Sequence, residues 1–488
     1  MSNQPNIIFV LAEQHNFRFM GCAGDPYVHT PVMDTLARQG TRLEQCYCNS
    51  PLCVPSRASL MTGRLPHNNQ VFNNQQTLHT DIPTMAHSLN IAGYETVLAG
   101  RMHFYGPDQN HGFEKRLVGD VTVVYQGQDL NEKIFGELNG TMLQKRVGIE
   151  KSGPGDSSVY HFDNDVREAT LDFLDKRTDE RPLFLTVGFF SAHPPFVCPE
   201  DKFRYYYDML PPLTPSEVDF RSLHPAIQAW LTSRNVIDVT ADELRRVRAA
   251  YYAMVEFLDD NLGQILDKAA QKLDMSNTVV IYTADHGESL GINRMWWKGT
   301  YYDTSSRVPA IVSWPGHFRE NSVEHGLTCL ADLTATCIDL AGGPTLPLIY
   351  GMSLVKVLEG NATIAADRSI ISELGTYPSN KDRPAAMLRK GDYKLVTYVG
   401  YGDVQLFNLK EDPEELQDLG RDAAYSDLVR RMKAELEQQW NGSAVEEFCM
   451  RYTEQFKLIR QWANTTHFEM PTRWYPPENG NYVLPVNN

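Results

Sequence analysis

One short segment of the chain combines a cysteine and an arginine at helical spacing. It starts at Cys53, ends at Arg64 and reads CVPSRASLMTGR. A helix that begins near Pro55 places Arg57 on the same face as the cysteine, four residues earlier. A guanidinium in that position can pair with an anion held beside the cysteine. The segment therefore predicts a reactive side chain with a cation next to it.

Two polar pairs follow apolar runs that read as buried strands. Glu13 and Gln14 come directly after NIIFVLA, and Asp285 and His286 come directly after TVVIYTA. Continuous apolar runs of this length are typical of parallel strands buried on both faces. Because α/β sheets bind ligands at the carboxyl ends of their strands, both pairs are candidates for a common site.

Four further candidates follow other predicted elements. Arg101 and His103 come after the strand at 95–99, and His193 comes after the apolar run PLFLTVGFF. Lys298 follows two tryptophans. Lone lysines are usually solvated, and a lone histidine beside prolines is more often structural. Their places after strands and aromatic residues nevertheless favour a shared pocket.

The segment from Cys53 resembles the signature of the type I sulfatase family, within the alkaline-phosphatase-like superfamily. The resemblance implies that Cys53 is oxidised to Cα-formylglycine by a formylglycine-generating enzyme. In such a site a hydroxyl of the hydrated aldehyde attacks sulfur, and the second hydroxyl later expels sulfate. The resemblance thus predicts a hydrolase of sulfate monoesters.

The resemblance also implies one divalent cation. Its ligands in this chain would be Glu13, Gln14, Cys53, Asp285 and His286. Relatives usually carry aspartate where this chain has Glu13. Oxygen ligands suit a hard ion, so Ca²⁺ is expected, while the imidazole makes Mg²⁺ and Mn²⁺ the alternatives.

By the same resemblance, the remaining residues have catalytic roles. His103 would act as general base on the diol, and Arg101, a lysine in most relatives, would help hold the anion. His193 would protonate the leaving alcohol. Lys298 would contact the sulfate and the leaving oxygen, and Arg57 would pair with the diol or the sulfate.

Other features bear on the substrate. The run GPDQNHGFE at 106–114 and the asparagine pair ending at Asn74 resemble choline sulfatases. Tyr125 is the candidate to replace the tryptophan those enzymes use around a quaternary ammonium. A small organic or aryl sulfate, including choline sulfate, is therefore expected.

Two alternatives stay open. Hydrolysis of phosphonate monoesters or phosphodiesters is one, because relatives with that activity share the formylglycine and the Asp-His-Gly-Glu run at 285–288. A non-catalytic ligand-binding homologue is the other, suggested by the unusual Glu13 and Arg101.

Alternating strands and helices predict an α/β fold with a large, mostly parallel central sheet flanked by helices. One of its strands is expected at Val308–Ser313. Short strands and a helix beyond the middle 360s predict a smaller antiparallel sheet. We therefore expect a catalytic domain at 1–365 and a C-terminal subdomain at 366–488. The tail after position 470 is rich in proline and aromatic residues and is expected to pack against a surface, in one hypothesis that of a neighbouring subunit.

The 488 residues have a formal net charge of −16, with 42% hydrophobic and 22% charged residues. An acidic chain argues against nucleic acid and anionic membranes as partners. The first residues lack the features of a secretory signal, which predicts a cytoplasmic protein. Eight scattered cysteines do not form a disulfide framework. A homo-oligomer is expected.

Overall fold

The computed structural model describes residues 4–122, 132–375, 383–466, 474–477 and 480–486, so Tyr125 lies outside the described residues. The strands are β1 Asn6–Ala12, β2 Gly40–Tyr47, β3 Glu95–Gly100, β4 Lys115–Arg116, β5 Gly153–Asp156, β6 Leu183–Gly188, β7 Val197–Cys198, β8 Thr278–Ala284, β9 Arg307–Val308, β10 Ala310–Ser313, β11 Ser322–Cys329, β12 Ser369–Leu374, β13 Ala385–Lys390, β14 Tyr393–Tyr398, β15 Val404–Asn408 and β16 Tyr482–Val483. The α-helices are α1 Pro31–Arg38, α2 Cys53–Thr62, α3 Pro66–Asn69, α4 Met85–Ile91, α5 Val147–Glu150, α6 Ser158–Lys176, α7 Glu200–Met209, α8 Pro225–Arg234, α9 Ala241–Lys272, α10 Asp303–Ser306, α11 Leu330–Ala341, α12 Val355–Leu358, α13 Ser426–Glu437 and α14 Gly442–Thr466. Short 3₁₀ helices lie at Gly21–Ala23, Glu132–Leu138, Thr141–Leu143, Phe220–Ser222, Met275–Asn277, Ile292–Arg294 and Ala423–Tyr425.

The central sheet has the strand order β11-β2-β10-β8-β1-β6-β3-β4, with β9 paired to β2. The run from β8 through β1, β6 and β3 to β4 is parallel throughout. Apart from the short edge strand β4, its strands are mostly apolar and almost fully buried, as strands covered on both faces must be. The expected α/β architecture is confirmed, and β1 and β8 have the predicted limits.

The predicted strand at Val308–Ser313 is wrong as a single parallel element. It consists of β9 and β10, which pair antiparallel with their neighbours and are separated by Pro309. Proline has no N–H to donate, so it interrupts the hydrogen-bond ladder. Its carbonyl instead accepts a 2.8 Å hydrogen bond from the Thr283 hydroxyl.

Two groups of helices flank this sheet. Helices α1, α6 and α7 pack on the long helix α9, while α2 and α4 pack on α11. Helix α2 carries Cys53 at its first position and is buried along its whole length. The segment with the candidate nucleophile is therefore held inside the molecule rather than on a surface loop.

The smaller sheet, β12-β13-β14-β15, is an antiparallel meander, and α13 packs against it. The chain end returns to the large sheet's side of the molecule, where β16 pairs with β5. Trp474 donates from its ring nitrogen to the Asp165 carboxylate at 2.8 Å. The described part of the tail therefore packs against its own chain, which agrees with the expectation that the tail contacts a protein surface.

Within the described residues, none of the helices combines the length and the apolar character that a membrane crossing requires. The cytoplasmic location and the homo-oligomer stay predictions.

Candidate active site

The candidate residues converge because four parallel strands end side by side. Ala12 is in register with Ala284, and Gly100 is in register with Gly188. Beyond the sheet, the Glu13 amide donates to the Ser191 carbonyl at 3.0 Å. The segments that follow β8, β1, β6 and β3 therefore meet at one edge, as the sequence predicted.

Cys53 lies at this edge with its sulfur 3.3 Å from His286 Nε2. The next amide, that of Val54, donates to the Asn74 side chain at 2.9 Å, so Asn74 holds the start of α2. Burial, together with the carboxylate of Glu13, raises the pKa of the Cys53 thiol to about 12. An unmodified thiol in this position stays protonated and is a poor nucleophile.

Cys53 and three residues around it form a group of donors that fits a metal ion. Ligand atoms of Glu13, Cys53, Asp285 and His286 all lie within 4.8 Å of one another, and all four residues are buried. His286 Nδ1 lies 3.0 Å from the Gly287 carbonyl, which can only accept, so Nε2 keeps its lone pair. Burial lowers the pKa of His286 to about 4, which leaves the imidazole neutral and able to bind a cation.

Arg57 links the two carboxylates of this group. Its Nε donates to Asp285 Oδ2 at 2.8 Å, and its Nη2 donates to Glu13 Oε2 at 2.7 Å. Burial raises the pKa of Glu13, but the cations Arg101, Arg57 and Lys298 outweigh burial and hold it well below its usual range. The carboxylate is therefore ionised. Its Oε1 lies 4.0 Å from His286 Nε2.

Arg101 is held by protein groups on all sides. Its Nε donates to Glu13 Oε2 at 2.5 Å, and its Nη1 donates to Asp120 Oδ1 at 2.7 Å and to the Thr122 hydroxyl at 2.8 Å. Its Nη2 lies 3.3 Å from Glu13 Oε1 and 2.9 Å from His103 Nδ1. Asp120 also accepts the backbone N–H of His103 at 2.8 Å. Asp120 therefore fixes both residues that follow β3.

Lys298 is only 2% exposed, so it is not a solvated surface lysine. Its Nζ donates to Gln14 Oε1 at 2.6 Å and lies 3.8 Å from Glu13 Oε1. The other end of the Gln14 amide donates to Glu288, whose carboxylate also accepts the Trp297 amide at 2.6 Å. Glu288 thus ties Gln14 to the loop that carries Lys298.

His193 lies in the segment that follows β6, which ends at Gly188. Its Nδ1 lies 2.6 Å from the Pro194 carbonyl, and its ring stacks on Phe190 with centroids 4.9 Å apart. The carboxylate of Asp163 accepts the amides of Phe190 and Ser191 at 2.6 and 2.9 Å and so fixes the turn before the histidine. Burial, followed by the charge of Lys298, holds the pKa of His193 well below its usual range.

Sequence reasoning missed three carboxylates that hold the site together, Asp120, Asp163 and Glu288. Glu288 adjoins the Asp-His pair, so its position within the same run was a usable signal. Asp120 and Asp163 act through contacts with distant segments, and nothing in the neighbouring sequence marks them.

A family model described as Sulfatase matches residues 5–343 of this chain. The chain belongs to the sulfatase family. A second model, described as the C-terminal part of N-sulphoglucosamine sulphohydrolase, matches residues 291–442. Members of the sulfatase family are sulfuric ester hydrolases, which agrees with the function and the fold that the sequence predicted.

Three known proteins illustrate the similarity. A choline-sulfatase of Rhizobium meliloti is 32% identical over 436 residues, covering 86% of this chain and 83% of the relative. An arylsulfatase of Clostridium perfringens is 26% identical, covering 95% and 99%. The crystal structure of a phosphonate monoester hydrolase of Agrobacterium radiobacter superimposes with a TM-score of 0.73 at 22% identity, covering 89% and 95%. This last similarity is one of fold.

Proposed function

We propose that this sulfatase hydrolyses sulfate monoesters of small alcohols, with choline sulfate as the first candidate. The observation that carries the proposal is the surroundings of Cys53: a buried group of metal donors and three cations, all at one sheet edge. A sulfate ester is a compact anion, and such a pocket neutralises the charge that develops on its oxygens. The similarity to the choline-sulfatase of Rhizobium meliloti supports the choice of alcohol.

The proposal includes conversion of Cys53 to formylglycine by a formylglycine-generating enzyme. Hydrated formylglycine supplies a hydroxyl that attacks sulfur and a second hydroxyl whose ionisation releases sulfate.

The proposed metal is a single divalent cation, Ca²⁺ first and Mg²⁺ or Mn²⁺ as alternatives. Glu13 Oε1, Asp285 Oδ1 and His286 Nε2 would hold it, with the group at position 53 and Gln14 Oε1 beside them. When bound, such an ion polarises a sulfate oxygen as a Lewis acid. Because Arg57 engages the other oxygen of each carboxylate, the donors are already oriented.

The remaining roles are assigned to residues of the chain. Lys298 would contact a sulfate oxygen, and Arg57 has two N–H groups beyond the three that its protein partners occupy. His193 Nε2 would take the proton that the attacking hydroxyl loses and transfer it to the leaving alcohol. Asn74 lies beside the start of α2 and would face the alcohol side of the pocket.

A panel of choline sulfate, 4-nitrophenyl sulfate and 4-nitrophenyl phenylphosphonate tests this proposal. We expect sulfate release from the first two, a much higher kcat/KM for sulfate than for phosphonate, and no turnover by C53A. The C337A variant is the matched control, because Cys337 is an equally buried thiol in α11. A non-catalytic homologue would show no turnover of any substrate and an unmodified Cys53 peptide in mass spectrometry.

Phosphonate monoester or phosphodiester hydrolysis is the second candidate. The structural similarity to a phosphonate monoester hydrolase favours it only at the level of the fold. A phosphodiester monoanion has the charge of a sulfate monoester, so the same cations suit both. A kcat/KM that is much higher for the phosphonate than for either sulfate would replace the first proposal with this one.

Metal removal provides a separate test. Dialysis against a chelator should abolish turnover and lower the midpoint of thermal unfolding, because Glu13 and Asp285 then lose a shared cation. Adding back Ca²⁺, Mg²⁺ or Mn²⁺ singly identifies the ion that restores both. Unchanged activity in the metal-free protein would contradict the assignment.

A further inference from the structure

The guanidinium of Arg101 has no hydrogen left for a substrate. An arginine side chain carries five N–H hydrogens and no acceptor. Each has a protein acceptor: Glu13 takes two, and Asp120, Thr122 and His103 take one each. The side chain is 1% exposed, and its planar group packs over the Phe190 ring at 4.7 Å. Arg101 therefore positions its neighbours rather than touching the sulfate.

The contact with His103 determines which ring nitrogen carries the proton. Arg101 Nη2 can only donate, so His103 Nδ1, at 2.9 Å, must accept with its lone pair. In a neutral imidazole the proton then lies on Nε2. Protonating Nδ1 as well would set an N–H against a guanidinium N–H and break this hydrogen bond.

The other charged groups around His103 do not reverse this preference. Asp120, Glu13 and Arg57 act on the ring besides Arg101, but the Asp120 carboxylate already engages Arg101 and the His103 backbone. Burial, followed by the charge of Arg101, lowers the pKa of His103 to about 3. The imidazole is therefore uncharged near neutral pH.

We propose that Arg101 fixes His103 as the Nε2–H tautomer, so that His103 serves the reaction as a hydrogen-bond donor to an oxygen of the diol or the sulfate and not as a proton acceptor. This role replaces the general-base role that the family resemblance implies for His103. When sulfate leaves, the second hydroxyl becomes the aldehyde carbonyl and its proton passes to His193 Nε2, whose lone pair is free because Nδ1 donates to the Pro194 carbonyl. It rests on the proposed function only for the identity of the oxygen, because the tautomer follows from the contacts of the protein itself.

The tautomer can be measured without substrate. Long-range ¹H–¹⁵N correlation spectra of the full-length protein, labelled with ¹⁵N-histidine, distinguish a protonated Nε2 from a protonated Nδ1. The signal that disappears in H103Q belongs to His103. We expect it to show a protonated Nε2 and a bare Nδ1 from pH 6 to 8. A bare Nε2, or a ring that gains a second proton in this range, would overturn the proposal.

Kinetics with three substitutions test the role. The amide nitrogen of glutamine can reach the position of Nε2 and donate, but it cannot accept a proton, whereas asparagine is too short. We expect H103Q to keep kcat within about tenfold of the wild type with the same pH profile, and H103N and H103A to lose about 10²–10³-fold, as for loss of one donor to a developing oxyanion. If H103Q falls as far as H103A, His103 is a base and the proposal fails.

Backbone strain cannot imitate this pattern. His103 has a φ of +52°, a region that asparagine tolerates better than glutamine does. A folding defect would therefore spare H103N and harm H103Q, the reverse of the expectation. If the wild type hydrolyses no sulfate ester, the proposed function fails, while the tautomer measurement still decides the arrangement of Arg101 and His103.

Discussion

Two neighbouring strands are each followed by a histidine, and the two rings have opposite hydrogen-bond partners. We call these two regions the β3 end (Arg101, His103 and Asp120) and the β6 end (His193 and Asp163). Both histidines are 6% exposed, and burial lowers the pKa of both. At the β3 end the ring nitrogen Nδ1 faces a donor, and at the β6 end it faces a carbonyl.

The partner of Nδ1 therefore separates the two roles. At the β6 end Nδ1 carries the proton, so Nε2 has a lone pair and can gain and lose a proton while the bond to Pro194 persists. At the β3 end a second proton would break the bond to Arg101. Burial and low pKa alone would have assigned both rings the same function.

The largest expected effect is a loss of proton transfer when the histidine of the β6 end is replaced, but not when that of the β3 end is replaced. H193Q should lower kcat for choline sulfate by about 10²–10⁴-fold, because glutamine cannot deliver a proton to the leaving alcohol. The loss should be smaller with 4-nitrophenyl sulfate, whose leaving group departs without protonation. Steady-state kinetics on both esters, with H103Q as the matched variant, provide the measurement. Full activity of H193Q on choline sulfate would show that His193 and His103 do not differ in proton transfer.

The next effect concerns the carboxylates behind each histidine. Asp120 forms an ion pair with Arg101 at 2.7 Å, whereas Asp163 accepts the backbone amides of Phe190 and Ser191. D120A should destabilise the fold by about 3–5 kcal/mol, because the buried guanidinium of Arg101 then lacks one of its carboxylate partners. D163A should destabilise it by about 1–3 kcal/mol. Unfolding in urea compares the two, and an equal or larger loss for D163A would contradict the charge argument.

The smallest effect is a difference in pH dependence. The pKa of His103 is about 3 in the folded protein and about 6.5 for an unfolded histidine. Between these values the unfolded chain binds the additional proton, so the free energy of unfolding falls as the pH falls from about 6.5 towards 3. H103Q removes this contribution. Over this range its free energy of unfolding should therefore fall with a slope that is smaller than that of the wild type by about 1.4 kcal/mol per pH unit. Parallel curves for H103Q and the wild type between pH 6 and 4 would show that His103 is not held neutral.

Sequence reasoning found the parts of this molecule whose signal is local. The apolar runs that became β1 and β8 fixed where Glu13 and Asp285 lie, and the segment from Cys53 to Arg64 identified the family. The polar strand β2 (Gly40–Tyr47) and the long helix α14 (Gly442–Thr466) were not predicted. Arg42 and Glu44 interrupt the apolar positions of the strand, which leaves it without a clear period. The buried residues of the helix, Val445, Cys449, Phe456 and Ala463, do recur at helical spacing, so this period was a usable signal that sequence reasoning missed.

The roles of individual site residues were harder to predict than which residues belong to the site. Arg101 was expected to hold the anion, but its donors are used by Glu13, Asp120, Thr122 and His103. That outcome depends on Asp120, which contacts Arg101 only in the folded protein. The tautomer of His103 is set by its contact with Arg101, only two positions earlier in the chain. That contact depends on the folded positions of Glu13 and Asp120 around the guanidinium, so the sequence alone does not reveal it.

The most direct test of the account is the rate of sulfate release as a function of Cys53 conversion. Preparations made with and without a co-expressed formylglycine-generating enzyme will differ in the fraction of Cys53 that has exchanged sulfur for oxygen and lost two hydrogens, which peptide mass spectrometry measures. We expect the rate of sulfate release from choline sulfate or 4-nitrophenyl sulfate to be proportional to that fraction and to vanish with it. A preparation with unmodified Cys53 and full activity would contradict the account.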